Sequence, residues 1–282
     1  MRVATNRGIL AYLVGGALLV GLHTAVAAEG GDAAADITNA DRTYRNFTRE
    51  AAVVDAGQFR LEVRGMAVKN NTHTQINLAG QPARDVDDLT AGLMDLVGTY
   101  GFGKNAEVGF IIPGVVETVD RVGGSGKTYG DIADFQMYGK VLIPAATRCK
   151  VGAGLELGTP NGPERLGLST GGVGAKPFLS SRYENGRLGI GAHLGYEFYT
   201  GDATNAFDYG GEVLYRVAPI LALRTEMAGR ILKDGKTFND LTFLPGLDLI
   251  LTEHVRLRPT GLVGATPESL NWGAGLGVAL TL

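Results

Sequence analysis

The chain has little cysteine, little net charge and almost no long apolar runs. Its one cysteine, Cys149, excludes an intramolecular disulfide framework and a four-cysteine zinc site. Its 26 basic and 29 acidic residues leave a formal charge of −3, so we expect no nucleic-acid partner. After the N-terminal segment, no stretch approaches the roughly 20 apolar residues that a membrane-spanning helix needs. A bundle of membrane helices is therefore excluded.

Residues 1–28 have the features of a secretory signal peptide. Arg2 and Arg7 precede the apolar run GILAYLVGGALLVGL, and the small residues TAVAA follow it. Cleavage after Ala27 and cleavage after Ala28 both fit, and the site stays open between them. An uncleaved anchor is the alternative, although the apolar run is shorter than a spanning helix. No cysteine lies directly after the run, at the possible cleavage sites, so a lipid-modified mature end is excluded.

A period of two residues begins near residue 58 and continues to the end of the chain. In LALRTEM, for example, Leu221 and Leu223 alternate with Arg224 and Glu226. Successive side chains of a strand point to opposite faces, so one face of this strand is apolar and the other is ionic. Twelve strands are expected, near 58–68, 89–101, 105–116, 129–143, 147–158, 173–183, 187–199, 207–217, 220–231, 241–252, 255–264 and 270–282.

Long and short connections alternate between these strands. Long links such as NNTHTQINLAGQPARDVDD and KDGKTFND are separated by short ones such as FGKN, PAAT and ENG. Bacterial outer-membrane barrels have short periplasmic turns, longer external loops and an even number of strands. We therefore expect an all-β fold, a transmembrane antiparallel β-barrel over residues 57–282, preceded by a periplasmic arm or partial plug at 29–56. A soluble sandwich is the alternative, but nothing in that fold requires long and short loops to alternate.

Nearly every charge falls on one face when the register is followed from Arg224. An arginine facing lipid near the bilayer midplane costs about 2–4 kcal/mol, whereas charges inside a barrel can pair across strands. We expect the lipid face to include Leu223 and Cys149, and lumen glycines such as Gly154 to leave room inside. The predicted lumen-lining residues are Arg60, Glu62, Arg64, Asp134, Lys140, Arg148, Lys150, Glu156, Arg182, Arg187, His193, Glu197, Glu212, Arg216, Arg224, Glu226, Arg230, Asp248, Arg256 and Arg258. Lys176 falls on the same face, and basic residues outnumber acidic ones in this set, which predicts a mild preference for anions.

Several segments resemble one outer-membrane family. They are GDIADFQMYGKVLI (Gly130–Ile143), GLELGTPNG, GLSTGGVGAKPFLSSRY and AHLGYEFYTGD, with DAGQFRLEVRG and TYGFGKNAEVGFIIP similar to the family's opening strands. The family is labelled MetA-pathway of phenol degradation, and its members are often called transporters. The resemblance covers most of the mature chain and implies a membrane barrel that moves small aromatic or apolar molecules. The chain departs from many such barrels by ending in Leu282 instead of an aromatic residue.

These observations predict an outer-membrane channel or transporter of a Gram-negative bacterium. Small molecules would pass passively through a narrow charged lumen, because twelve strands lie between the eight that side chains fill and the 16–18 that leave an aqueous channel. The expected partners are outer-membrane lipid, a small-molecule solute and the barrel-assembly machinery. A non-conducting structural barrel and a lipid-modifying barrel enzyme are the alternatives.

No pattern indicates catalysis, so we expect no enzyme, no cofactor and no metal. A lipid-modifying barrel enzyme would need a histidine beside a serine on the lipid face. His193 is instead predicted to face the lumen, and His73 and His254 lie in connections. The acidic run Asp85–Asp88 has oxygen ligands that suit calcium, but a solvated loop explains it better. The sequence GGSGKT lacks the spacing of a phosphate-binding loop.

Overall fold

A computed structural model describes residues 51–70, 88–120, 127–144, 148–163, 169–234 and 236–282. The predicted signal peptide, the arm up to residue 50, His73 and the acidic residues 85–87 lie outside the described residues. Within them, no helix is long and apolar enough to cross a membrane. The regular elements are the strands β1 Phe59–Asn70, β2 Asp88–Phe102, β3 Ala106–Asp120, β4 Lys127–Ile132, β5 Phe135–Pro144, β6 Cys149–Thr159, β7 Gly174–Asn185, β8 Leu188–Tyr199, β9 Ala206–Ala218, β10 Leu221–Asp234, β11 Lys236–Ile250, β12 Val255–Gly264 and β13 Trp272–Thr281.

The strands form one closed antiparallel barrel with twelve strand positions. Each position pairs with the next along the chain, and β1 pairs with β13 to close the sheet. The strands β4 and β5 share one position, because both pair with β3: β4 with residues 114–119 and β5 with residues 106–111. Closure lets the backbone satisfy its hydrogen bonds internally, as a membrane requires. The predicted all-β barrel of about twelve strands is confirmed.

The predicted fourth strand, 129–143, is interrupted at Ala133 and Asp134. Gly114 pairs with Ile132 and Ile111 pairs with Gln136, so β3 has one residue fewer than its partner across this gap. The extra residue is a β-bulge, and it reverses which residues face inwards on either side of it. Pro113, which accepts a hydrogen bond from the Ala133 amide, has no N–H for the ladder here.

The predicted loop KDGKTFND is mostly strand. β10 continues to Asp234 and β11 begins at Lys236, so the two strands extend a tight hairpin beyond the predicted ends. Leu232 pairs with Phe238, and both pack against Ala206 in a buried cluster. This contact stabilises the longer strands. The segment is polar in composition, and for that reason the sequence predicted a loop.

The barrel has two distinct ends, which we call the short-turn end and the long-loop end. The short-turn end carries the connections 103–105, 145–148, 186–187, 219–220 and 251–254, together with the start of β1 and the end of β13. The long-loop end carries the connections 71–87, 121–126, 160–173, 200–205, 235 and 265–271. Long and short connections therefore alternate as the sequence predicts, apart from the connection between β10 and β11, which is one residue long.

Alternation along each strand separates an apolar outer face from a polar inner face. Large outward side chains such as Met94, Leu194 and Leu223 are 59%, 55% and 44% exposed. The charged neighbour of Leu223, Arg224, is only 3% exposed because it points inside. Cys149 is exposed on the outer face, as predicted. An exposed apolar exterior around a charged interior suits a barrel whose outside contacts lipid.

Candidate functional site

The inner wall of the barrel holds most of the charged residues predicted to line the lumen. Those in inward register and buried are Arg60, Glu62, Lys140, Glu156, Arg182, His193, Glu197, Glu212, Arg216, Arg224, Glu226, Asp248, Arg256 and Arg258. Those that point inwards but are half-buried are Arg64, Asp134, Lys150 and Arg230. Their shared position inside the barrel makes the lumen the candidate site.

Two residues of the predicted set lie in short turns instead of on the wall. Arg148 is exposed in the turn before β6, and Arg187 is half-buried in the turn before β8. Both strands begin after these residues, because the backbone is still turning at the short-turn end. Neither residue narrows the bore in the way that a mid-strand residue would.

A chain of buried ion pairs crosses the short-turn half of the lumen. Arg258 donates to Glu62 Oε1 at 2.7 Å and to Asp248 Oδ1 at 3.0 Å. Arg224 donates to Asp248 Oδ2 at 2.8 Å and to Glu212 Oε2 at 2.6 Å. Charge-assisted hydrogen bonds of this length are strong, and a buried guanidinium needs such partners to offset its lost hydration. Arg224 and Arg258 therefore present no uncompensated positive charge to the lumen.

The same chain continues to the far wall through Arg182. Its Nη1 lies 3.4 Å from Glu212 Oε1, and its Nε lies 2.6 Å from Glu184 Oε1. We call the whole chain the short-turn network, and its members are Glu62, Arg258, Glu226, Asp248, Arg224, Glu212, Arg182 and Glu184. It fixes the side chains of six strands in one layer.

Glycines allow these side chains to reach across intervening strands. Arg258 on β12 contacts Glu62 on β1 over Gly277 of β13, where a Cβ would lie 3.4 Å from Glu62 Oε1. In the same way, Gly191 lies between Arg182 and Glu212 in the register. A larger residue at either position would fill the space through which the guanidinium passes.

A second set of ion pairs lies in the long-loop half. Lys176 Nζ is 3.0 Å from both Glu156 Oε1 and Asp208 Oδ2. Arg230 Nε is 2.9 Å from Asp208 Oδ1, and Arg230 Nη2 is 2.6 Å from Glu197 Oε2. We call these five residues the long-loop network. It lines the wall from β6 to β10.

The expectation that lumen glycines leave room inside is wrong for Gly154. A Cβ there would lie 2.3 Å from Cζ of Phe178, because the ring of the neighbouring strand covers the glycine. Gly109 under Tyr138 and Gly210 under His193 show the same arrangement. An aromatic ring that packs over a cross-strand glycine stabilises and fixes the register, and it occupies the space that the glycine vacates.

The residues before β1 lie inside the barrel. We call Ala51–Val54 the inner strap; its four residues are at most 5% exposed. The Val54 amide donates to Glu107 Oε2 at 2.9 Å. A Cβ on Gly101 of β2 would lie 2.1 Å from the Asp55 carbonyl oxygen, so only glycine fits where the chain leaves the strap.

Glu107 connects the inner strap to the barrel wall. It is 1% exposed, and its Oε1 lies 3.0 Å from Lys140 Nζ on β5. The chain then turns from the strap into β1 at Gly57, whose φ of 81° suits glycine and whose amide donates to the Gly101 carbonyl. The strap is thus held at the short-turn end from β2 and β3.

A cavity of about 420 Å³ occupies the long-loop half of the lumen. Its size falls within the roughly 300–1,000 Å³ of small-molecule pockets. One arc of its wall carries the long-loop network. The other arc, from β12 through β13 to β3, contributes apolar residues that include Met66, Leu93, Ile111, Val115 and Leu262. The cavity therefore has a charged side and an apolar side.

The apolar side rests on a packed cluster inside the barrel. Val68, Ala91, Leu244 and Leu262 are buried together, and Met66, Leu93, Ala228 and Leu270 pack against them. Inward apolar residues near the long-loop end break the simple pattern of polar inside and apolar outside. They form a surface inside the lumen that water solvates poorly.

A loop of the long-loop end is tied to the cavity wall through Asp134. Its carboxylate accepts hydrogen bonds from the Gly162 amide at 3.2 Å, the Thr170 amide at 2.8 Å and the Thr170 hydroxyl at 3.0 Å. Asp134 lies at the bulge between β4 and β5, which aims its side chain into the lumen. It thus fixes both ends of the connection 160–173 to this wall.

Some charged lumen residues were not predicted. They are Asp95, Glu107, Glu184, Asp208 and Asp240. Asp208 has the same parity on β9 as Glu212 and Arg216, so a stricter count along that strand would have found it. Glu107 stands near the start of β3, directly before the uncharged run from Val108 to Val116, and a single charge at the edge of such a run is itself a signal of the inner face.

Comparison with known proteins shows the fold. No protein-family model and no curated protein sequence matches the chain. The crystal structure of the COG4313 outer membrane channel from Pseudomonas putida F1 superposes with a TM-score of 0.66 at 13% identity, covering 84% of this chain and all of that one. The NanC porin has a TM-score of 0.55 at 12% identity and covers 79% of this chain and all of that one. The KdgM porin has a TM-score of 0.50 at 10% identity and covers 78% of this chain and 98% of that one.

Proposed function

We propose that this barrel is an outer-membrane channel of a Gram-negative bacterium that passes small molecules passively. The observation that carries the proposal is the closed barrel with an apolar outer face, a charged inner face and a lumen cavity of about 420 Å³. Proteins of similar fold are called an outer membrane channel and porins, which supports the same role here. Lipid, a small solute and the barrel-assembly machinery are the proposed partners.

The proposed orientation follows from the connections. Outer-membrane barrels turn tightly in the periplasm and carry their longer loops outside, so we place the short-turn end and the inner strap in the periplasm. Export through the signal peptide, cleaved after Ala27 or Ala28, would deliver the chain to that compartment. The preceding arm, residues 29–56, then ends as a partial plug whose last part is the strap.

The proposed cargo has an apolar or aromatic portion. The resemblance of Gly130–Ile143 and its companion segments to the phenol-degradation family supports such cargo. The packed cluster of Val68, Ala91, Leu244 and Leu262 gives the lumen a surface on which an apolar group loses contact with water. A lumen lined only by charges would instead favour fully hydrated solutes.

A non-conducting structural barrel is the second candidate. The short-turn network and the inner strap both occupy the short-turn half of the lumen, and each is buried. In this alternative they would seal the bore and stabilise the barrel without letting any solute through.

Electrical recording from the refolded mature chain separates the two candidates. We expect single-channel currents and liposome swelling from the intact chain, and larger currents from a chain that lacks residues 29–54, because the strap lies inside the bore. Heat-modifiable gel mobility provides the control that both proteins are folded. If both are folded and neither passes ions or solutes, the barrel is structural and the channel proposal fails.

A further inference from the structure

The charges around the cavity are unequal. Among the described residues, the basic side chains on its wall are Arg64, Lys176, Arg230 and Arg258. The acidic ones are Asp95, Asp134, Glu156, Glu197, Asp208, Asp240 and Glu268. This acidic excess is opposite to the excess of basic residues in the set predicted from sequence. Four of the seven carboxylates on the cavity wall, Asp95, Asp208, Asp240 and Glu268, were absent from that set, and most of its basic residues lie outside the cavity wall.

Every basic group on this wall already has a carboxylate partner. Arg64 Nη2 is 3.1 Å from Asp95 Oδ2, and Arg258 is held within the short-turn network. Lys176 and Arg230 each contact two carboxylates of the long-loop network. A solute anion would have to displace one of these carboxylates to reach a positive group.

Three of the acidic groups form no salt bridge with any described residue. Asp134 is bonded only to uncharged donors, namely the Gly162 amide and the Thr170 amide and hydroxyl. Asp240 accepts a hydrogen bond from the Thr242 hydroxyl at 3.4 Å. Glu268 lies in the connection between β12 and β13 and also lines the cavity.

The apolar side of the cavity adjoins two of these carboxylates, Asp240 and Glu268. Asp240 precedes Thr242 and Leu244 along β11, and Leu244 belongs to the packed apolar cluster. Glu268 precedes Leu270, which packs against that cluster. Carboxylates and apolar surface therefore adjoin at the same end of the lumen.

We propose that this cavity binds small organic cations that have an apolar body. The body would pack on the surface around Leu262 and Leu93, and an ammonium or amidinium head would face the carboxylates of Asp240 and Glu268. Opposite charges attract strongly where the wall excludes water, whereas an anionic head would meet like charge. The proposal deepens the proposed function by naming the class of cargo, and its role in transport rests on that function.

Three probes of six carbons each, which differ in the charge of the head group, test the proposal. Hexylammonium, hexanol and hexanoate are titrated calorimetrically into the barrel held in nanodiscs, and titrations into empty nanodiscs are subtracted. We expect hexylammonium to bind about tenfold more tightly than hexanoate, with hexanol between them. Equal binding of the three probes, or tighter binding of hexanoate, would overturn the proposal.

Matched variants locate the site. The double variant Asp240→Asn and Glu268→Gln should remove the preference for hexylammonium over hexanol, because the amides keep the shape and lose the charge. Asp202→Asn removes a carboxylate from the exposed connection 200–205, away from the cavity wall, and should leave the preference unchanged. Preference that survives the double variant would refute the assignment.

Transport is measured separately, so that the two proposals can fail independently. Hexylammonium added to a conducting channel should reduce its ion current more than hexanoate does. Selective binding without any current in the unmodified barrel would support the cation site and count against the channel. Current without selective binding would support the channel and reject the cation site.

Discussion

Leu223 and Arg224 are adjacent in sequence and lie in opposite environments. Leu223 is 44% exposed on the outer face, whereas Arg224 is buried between Glu212 and Asp248. Strand geometry alone produces this difference, since consecutive side chains leave the sheet on opposite sides. The environment of each residue therefore sets what a substitution would do.

Charge on the outer face should impair folding into a bilayer. Leu194 lies near the middle of β8 and is 55% exposed outwards, so Leu194→Arg should cost about 2–4 kcal/mol. Leu223→Arg should have the same sign and a smaller effect, because Leu223 is close to the short-turn end. The folded fraction after refolding into liposomes, read by heat-modifiable gel mobility, measures both.

Arg224→Leu is the control on the opposite face. It should still fold and insert, with a free energy of unfolding lowered by at most about 3–5 kcal/mol, because Glu212 and Asp248 each keep a second arginine. If Arg224→Leu abolished insertion while Leu194→Arg inserted normally, the assignment of the two faces would be refuted.

The period of two could predict the direction of single side chains but not their partners. It placed Arg224 and Glu226 on one face from sequence alone, and the buried pairs follow that face. Which carboxylate meets which arginine depends on the register between strands, and one sequence does not specify it. The contact between Arg258 and Glu62 joins strands at opposite ends of the chain, so no local pattern indicates it.

At the scale of elements, one buried carboxylate anchors the inner strap to β3. Glu107 accepts the hydrogen bond of the Val54 amide and pairs with Lys140. Ala52 in the strap is 1% exposed. Loss of Glu107 would remove the acceptor of the Val54 amide and the carboxylate that lies 3.0 Å from Lys140 Nζ.

A cysteine in the strap should report this anchoring. In a Cys149→Ser background, Ala52→Cys should react slowly with a soluble thiol reagent, and adding Glu107→Ala should increase the rate, because the strap is released. Ala52→Cys combined with Asp202→Asn is the matched control, since Asp202 is remote from the strap. Rapid labelling before Glu107 is changed would contradict a strap that is held inside the barrel.

Strand boundaries were predicted correctly where apolar and polar residues alternate clearly. They were missed where tertiary contacts determine where a strand ends. Leu232 and Phe238 extend β10 and β11 because they are buried with Ala206, and the polar residues between them resemble a loop. The bulge at Ala133 and Asp134 was missed because both halves of that strand alternate normally. At the bulge the set of alternate residues that faces inwards changes, and only the pairing with β3 shows this change.

At the scale of the whole molecule, the seam between β1 and β13 makes the sheet a cylinder. Phe59 and Leu282 exchange backbone hydrogen bonds of 3.0 and 2.7 Å at one end of the seam. Leu61 faces Leu280 further along it. Without the seam, two strands would expose unpaired backbone groups, which hydrocarbon does not tolerate.

A disulfide across the seam tests the closure. In a Cys149→Ser background, Leu61→Cys with Leu280→Cys should oxidise to a disulfide in the folded protein, because the two positions are directly paired. Leu61→Cys with Val255→Cys is the matched control, which should not oxidise. Val255 of β12 pairs with Leu280 from the other side, so it lies about two strand spacings, roughly 10 Å, from residue 61. Non-reducing gels and mass spectrometry distinguish the outcomes, and oxidation of the second pair alone would disprove the seam.

The seam also determines the order of events during biosynthesis. β1 is translated early, yet its partner β13 contains some of the last residues to be made, so the first strand waits while nearly the whole barrel is synthesised. Pairings between residues so distant in sequence form slowly, and a waiting edge strand can pair with other chains. A chain that ended before residue 272 would lack β13, so β1 and β12 would both be unpaired edge strands. We expect such a chain to be lost to proteolysis or aggregation.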